Sequence, residues 1–282
     1  MRPFLDACRF ENESEKRHDY AHIDPLQHRL IFYPGLRICC DHAIRDHIRI
    51  QSALHPLWTA VRKGCVFTQT GYDQEGFAIR DPDSTTYTGA IETAEEFGQR
   101  LYAEACRRGW SRAHKKVILG DGAEWIWNLA DLHFPGALQI VDLFHARQHL
   151  WDLARLLYPG EDARQRQWIL RHQPKLDDGK IEKLVHYLGS LETSSPELTE
   201  TIRKAAAYFQ RNAERMRYPE FRRQHLFVGS GVIEAGCKTV IGSRLKQSGM
   251  FWTVRGANAI IALRCCRLSG RFEDYWGARR AA

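Results

Sequence analysis

Apolar positions along this chain follow two rhythms, with the change near residue 145. Upstream, short runs of β-branched and aromatic residues surround one strongly amphipathic stretch. KGCVFTQT (63–70) predicts a strand with a turn after it at Gly71, and DPDSTTYTG (81–89) predicts a turn-rich connection. IETAEEFGQRLYAEACRRG (91–109) predicts a helix. Thr93 and Glu96 form a capping box, and Phe97, Leu101 and Ala105 recur at four-residue steps on one face. Arg107 and Arg108 suit the negative end of its dipole, and Gly109 closes it. VILGDG (117–122) predicts a buried strand, AEWIWNLADLH a helix broken by FPG (134–136), and ALQIVDLF (137–144) a second strand. Strand, helix, strand, helix, strand in that order predicts an α/β layer fold.

Beyond His145 the strand rhythm stops. Residues 146–228 are dense in Leu, Ala, Arg, Gln and Trp and predict an all-α segment, divided at Pro159-Gly160, Asp177–Gly179 and Ser194–Pro196. GSG (229–231) then launches a helix, VIEAGCKTVIGSRLK, and ANAIIALRCCRL (257–268) predicts the last long one. Residues 1–60 show little sustained periodicity. Pro25, Pro34 and Pro56 interrupt any long helix there, and the segment predicts no definite structure. The expected organisation is therefore an atypical segment 1–60, an α/β part 61–145, a helical part 146–228 and C-terminal helices in 229–282.

Composition narrows the class. In 282 residues, 44% are hydrophobic and 11% aromatic, which is globular and not disordered. A net charge of +7, from 41 Lys and Arg against 34 Asp and Glu, suits a polyanion partner such as nucleic acid, or simply a basic soluble protein. No apolar run approaches the ~18–20 residues of a membrane span, and the N-terminal stretch has acidic residues without a long apolar core. Cysteines at 8, 39, 40, 65, 106, 237, 265 and 266 do not form a disulfide framework, which points to a reducing cytoplasm.

Several residues carry possible chemistry. Asp121, flanked by Gly120 and Gly122, sits at a strand tip where α/β folds place ligands, or it caps the helix that follows. Glu234 lies early in its helix as a possible acid, or it pairs with Lys238 four residues on. Asp142 and His145 end the second strand. His145 and His149 share a helix face, as a two-ligand metal site or as a packed pair. Cys39, Cys40, His42 and His47 have the chemistry of zinc ligands but lack a second pair at finger spacing. SRAHKK (111–116) precedes the Asp121 strand. SRLKQSGMFWTVRG (243–256) interleaves Arg244, Lys246 and Arg255 with Phe251 and Trp252, which suits phosphate contacts and base stacking, or a solvated helix end over a small core.

Taken together, CVFTQT, RDPDSTTYTGAIETAEEFG, LGDGAEWIWNLADLHFPGALQIVDLFHARQHLW, GSGVIEAGCKTVIGSRLKQSGMFWT and RFEDYWGARRAA resemble the insertion-sequence transposases of the ISKra type. Those enzymes are DDE transposases with an RNase H-like core, akin to the Mutator group. The resemblance runs from about Arg62 to the C-terminus. It implies an α/β RNase H-like core in 61–145 and 229–282, interrupted by the all-α insertion. It also implies Mg²⁺ or Mn²⁺ as cofactor, DNA (transposon ends and target) as partner, a homo-oligomer, and cleavage followed by strand transfer. Asp121 maps to the second metal-binding acid and Glu234 to the third, with Asp142 and His145 in support. Arg244, Lys246, Trp252 and Arg255, the cations and aromatic of SRLKQSGMFWTVRG, are the expected DNA contacts. The requirement is chemical, because two ions ~3.5–4 Å apart clamp the attacking and leaving oxygens of a phosphodiester. The family's first acid lies on the first core strand, upstream of CVFTQT, in an Asp-Gly context. Residues 1–60 hold no Asp-Gly, and Asp24 and Asp41 are the nearest candidates. The expectation is therefore a core lacking its first strand, in a truncated or frame-disrupted copy. The competing class is a non-catalytic, DNA-binding remnant.

Overall fold

The computed structural model describes residues 35–41, 60–229, 231, 237–246 and 250–281. A six-stranded mixed sheet carries the first half of the chain. Its strands are β1 (Gly35–Asp41), β2 (Ala60–Tyr72), β3 (Ala78–Arg80), β4 (Thr86–Glu92), β5 (Lys116–Gly120) and β6 (Leu138–Val141). One edge of the long β2 pairs antiparallel with β1. The other edge pairs with β4 and then, past an irregularity between Gln69 and Gly71, with β3. On its second edge β1 runs parallel to β5, and β5 runs parallel to β6. The order is β3-β2-β1-β5-β6, with β4 joining β2.

This order establishes the α/β class and corrects four expectations. The sheet does not lack a strand upstream of β2. β1 occupies that place, ends on Asp41, and is paired on both edges. Seven residues containing an arginine and two cysteines carry a weak strand signal of their own, and neighbours on both sides override it. TYTG, expected as turn, opens β4, while only Pro82–Ser84 turns, as a 3-10 segment behind Asp81. The strand at 63–70 runs on through Gly71 to Tyr72. The strand at 137–144 stops at Val141, because Asp142 caps a helix instead.

The helices follow their local signals closely. α1 (Ala94–Arg107) has both halves of its capping box: the Glu96 N–H donates to Thr93 Oγ1 and the Thr93 N–H to Glu96 Oε2. Phe97, Leu101 and Ala105 are fully buried on its inner face. α2 (Glu124–His133) links β5 to β6, and α3 (Leu143–Leu157), α4 (Asp162–Asp177), α5 (Ile181–Gly189), α6 (Pro196–Arg211) and the short α7 (Tyr218–Arg223) make up the helical part. A π-helical stretch, Cys237–Gly242, leads into α8 (Ser243–Leu245), followed by α9 (Val254–Leu268) and α10 (Phe272–Ala281). No helix among the described residues is long and apolar enough to cross a membrane. Cys65, Cys106, Cys265 and Cys266 are thiols.

One apolar core runs unbroken from Cys65 on β2, through Ile118 and Leu150, to Phe209 and Phe221 in the helical part. Sheet and helical segment therefore share a core. A second, smaller cluster joins Val61 and Ile91 to Leu245, Ala257 and Ile261. Asn258 of α9 holds that cluster in place. The Ile91 N–H donates to its Oδ1 at 2.7 Å, and its Nδ2 donates to the Ile91 carbonyl at 3.2 Å. The side-chain amide thus takes the place of a neighbouring strand on β4. Asn258→Ala strands both buried backbone groups and is expected to lower stability by about 2–3 kcal/mol in urea unfolding followed by circular dichroism.

Candidate acidic site at the strand tips

β5 and β6 end side by side, and each is followed by an acid. The last paired residues are Gly120 and Val141, so Asp121 and Asp142 are the next residue on each strand. The Asp142 N–H donates to the Gly120 carbonyl at 2.7 Å, which carries the pairing one step further. Both acids are buried, at 8% and 5% exposure. Asp142 Oδ1 accepts the His145 N–H at 2.8 Å and caps α3. Asp121 Oδ1 accepts the Ala123 N–H at 2.9 Å. Ala123, not Asp121, is the N-cap of α2, so Asp121 closes a turn ahead of the helix instead of capping it.

The two flanking glycines answer to packing. A Cβ at Gly120 would meet Ile126 Cγ2 at 2.9 Å, so the strand end must be bare for α2 to close over it. Gly122 has φ +89°, and a Cβ there would meet the Tyr208 hydroxyl at 2.6 Å. That space is needed because α6 reaches the loop here. The Tyr208 hydroxyl donates to the Asp121 carbonyl at 3.0 Å, and Asn212 Nδ2 donates to the Gly122 carbonyl at 3.4 Å. Asn212 Oδ1 in turn accepts the Trp127 indole N–H at 2.9 Å. The helical part therefore fixes the backbone on which Asp121 stands.

Electrostatics places both carboxylates near one phenol. Burial, then the charge of Asp121, then that of Asp142 push the Tyr208 hydroxyl far above the ordinary tyrosine range, so it remains a neutral donor. The His149 ring lies 4.1 Å from the Tyr208 ring and 4.9 Å from His145. Burial, helped by His145 and opposed by Asp152, lowers His149 to about 4. His145 and His149 share a face as their spacing predicts, and what meets His149 is an aromatic ring.

At the third strand tip only the backbone is described. Cys39 pairs with Leu119, so Asp41 and Asp121 each lie two residues beyond that pair on adjacent parallel strands. Opposite Asp41 on β2 stands Lys63, which is buried. Cys39 and Cys40 are successive positions on β1. His42 and His47 lie outside the described residues.

Glu234 also lies outside the described residues. Arg244 on α8 and Arg255 in the first turn of α9 are exposed, and Lys246 is half-buried. Trp252 packs against the second apolar cluster, whereas its neighbour Phe251 is 57% exposed. Of the predicted site residues, the structure thus gathers Asp121 and Asp142, with His145 linked through its N–H. Tyr208 and Asn212 were not foreseen. They lie more than eighty residues from Asp121, and no local signal joins them. Among the described residues no group of three or more His, Cys, Asp or Glu side chains is arranged to hold a metal. The donors at the tips are carboxylates, the hard oxygen ligands that Mg²⁺ and Mn²⁺ take.

Two measurements test this geometry. Gly122→Ala is expected to lose about 2 kcal/mol or more in denaturant unfolding, from a strained φ and the clash with Tyr208, and Tyr208→Phe about 1 kcal/mol. The His149 value lies below that of an unfolded histidine, near 6.5, so the unfolded chain takes up its proton first as pH falls. Its contribution is complete above about pH 6.5 and is lost between there and about 4, by about 3 kcal/mol at most. His149→Phe should flatten that part of the stability–pH curve, and an unchanged curve would refute the assignment.

No protein-family model and no characterised protein matches this chain, so its function rests on the residues above.

Proposed function

We propose that the chain is a DDE-type transposase of an insertion sequence, with an RNase H-like core that cleaves and joins DNA strands in a metal-dependent reaction. The observation that carries this reading is the parallel pairing of β1 with β5, which brings Asp41 and Asp121 to the same end of neighbouring strands. The resemblance places a first acid on a strand upstream of CVFTQT, and β1 supplies one there, with His42 after it in place of glycine. Glu234, between Gly231 and Cys237, is the third acid by sequence.

Asp41, Asp121 and Glu234 would hold Mg²⁺ or Mn²⁺, which when bound lowers the pKa of a water or 3′-hydroxyl and offsets charge on the phosphodiester. The rest falls to the protein. Tyr208 and Asn212 hold the Asp121 loop still, Gly122 gives it room, and Asp142 follows β6 beside it while fixing the start of α3. Burial at the tips lowers the local dielectric and strengthens every charge interaction there. Arg244 and Arg255 are exposed, as phosphate contacts require.

The test is cleavage of a plasmid carrying the element's own ends, in Mg²⁺ or Mn²⁺, by purified protein. Asp41→Asn, Asp121→Asn and Glu234→Gln should each reduce cleavage at least about a hundredfold while leaving the circular dichroism spectrum intact. An inactive parent would favour the DNA-binding remnant. A fully active Asp41→Asn would remove Asp41 from the site.

A further inference from the structure

We propose that the exposed face of α3, together with the cavity at its first turn, is a track for single-stranded DNA leading away from the acidic tips. The proposal rests on the DNA-processing reading but uses different residues. Phe144, Arg147, Trp151 and Arg155 recur at three- and four-residue steps and so share one helix face. They line a shallow groove of about 470 Å³. Phe144 and Arg147 also line a deeper cavity of about 670 Å³, which closes against the β2–β3 turn at Phe77 and against Arg222, Arg223 and His225 around α7. The two form one continuous surface of aromatic rings and cations, with Glu75 the one acid lining either part among the described residues.

The chemistry of that surface is specific. Phe144 is 64% exposed and Phe77 58%, so large rings stand open to solvent beside arginines, the combination that stacks bases and tracks a phosphate backbone. Arg147 is fixed by a bidentate pair with Asp177 (2.9 and 2.8 Å) and lies over the Phe144 ring at 5.6 Å. Arg155 pairs with Asp152. Phosphate contacts therefore fall chiefly to Arg222 and Arg223, both exposed. A Cβ at Gly229 would meet the Phe144 ring at 2.7 Å, so the ring rests directly on backbone.

His225 lines the same cavity. Its φ of 54° is left-handed because it closes α7 in a Schellman turn: its N–H donates to the Arg222 carbonyl at 2.8 Å and the Leu226 N–H to the Phe221 carbonyl at 3.0 Å. Three further contacts fix it against the sheet: Gln69 Nε2 donates to its carbonyl at 2.6 Å, its Nδ1 lies 3.0 Å from the Gly76 carbonyl, and its ring stacks on Tyr72 at 3.9 Å. At about 670 Å³ the cavity has room for an unpaired base. Its lining begins at Leu143, the residue after Asp142, whose N–H donates to the Val228 carbonyl at 2.8 Å and so joins the cavity to the strand tips.

The experiment is fluorescence anisotropy of full-length protein in EDTA, with a labelled oligothymidylate and with a hairpin duplex of equal charge. Phe144→Ala and the double variant Arg222→Glu/Arg223→Glu should each weaken single-strand binding about tenfold or more, with duplex binding much less affected. Phe144→Trp should restore stacking. These residues are exposed, so the variants are expected to fold, and circular dichroism verifies it. The proposal is overturned if the parent does not bind the single strand, if both variants bind it like the parent, or if duplex binding falls equally. It is also overturned if polyglutamate displaces the oligonucleotide as well as unlabelled oligothymidylate does, since that result marks a surface for acidic protein. A chain that binds but never cuts sinks the transposase reading alone. One that cuts, with both variants binding the single strand like the parent, sinks this one alone.

Discussion

The sheet depends on β1 being hydrogen-bonded on both edges. Seven residues bridge an antiparallel partner, β2, and a parallel one, β5. Without them the two halves of the sheet would each expose a row of unpaired N–H and carbonyl groups, and burying such groups costs about 1–3 kcal/mol apiece. The same pairing decides direction. Because β1, β5 and β6 run parallel, their C-terminal ends lie on one side, and the acids that follow or end them gather there. An antiparallel neighbour would have sent Asp41 to the opposite edge.

The helical part turns that edge into a rigid site. A strand tip followed by two small residues has little to hold it, since Gly122 populates a wide range of backbone angles. Tyr208 and Asn212 remove that freedom by hydrogen-bonding consecutive carbonyls of the loop, and Trp127 secures Asn212 from behind. The unbroken apolar core beneath them makes the arrangement cooperative. An inserted segment that packs on its own could not place Tyr208 to within a hydrogen bond of Asp121.

Where folding is governed by neighbours in sequence, the chain was readable. The capping box of α1, its buried face, the strand before Asp121 and the helix breaks at Gly160, Gly179 and Pro196 all lie within a few residues of their signals. β1 was not readable, because GLRICCD takes its conformation from β2 and β5. β4 was masked by the turn residues of DPDS just ahead of it. Trp252 and Phe251 show the remaining difficulty. Adjacent aromatics look alike in sequence, yet one completes a core and the other faces water. Asp121 itself was legible as a strand-tip acid, whereas the reason for Gly122 was Tyr208, supplied by a distant helix.

Charge is partitioned across the molecule. At the strand tips, Asp121 and Asp142 are buried near a phenol that stays neutral. His149, which touches that phenol, is uncharged at neutral pH and offers the carboxylates no counter-ion. The arginines of α3, α7, α8 and α9 stand apart from them, where they face solvent or are held by single carboxylates. Under the proposed function a polyanion would meet these flanks first, at a rate that falls with salt as counter-ions compete, and would reach the tips only once bound cations had offset the acids there. In that reading binding and chemistry fall to surfaces of opposite sign, and Coulomb's law sets the order of assembly.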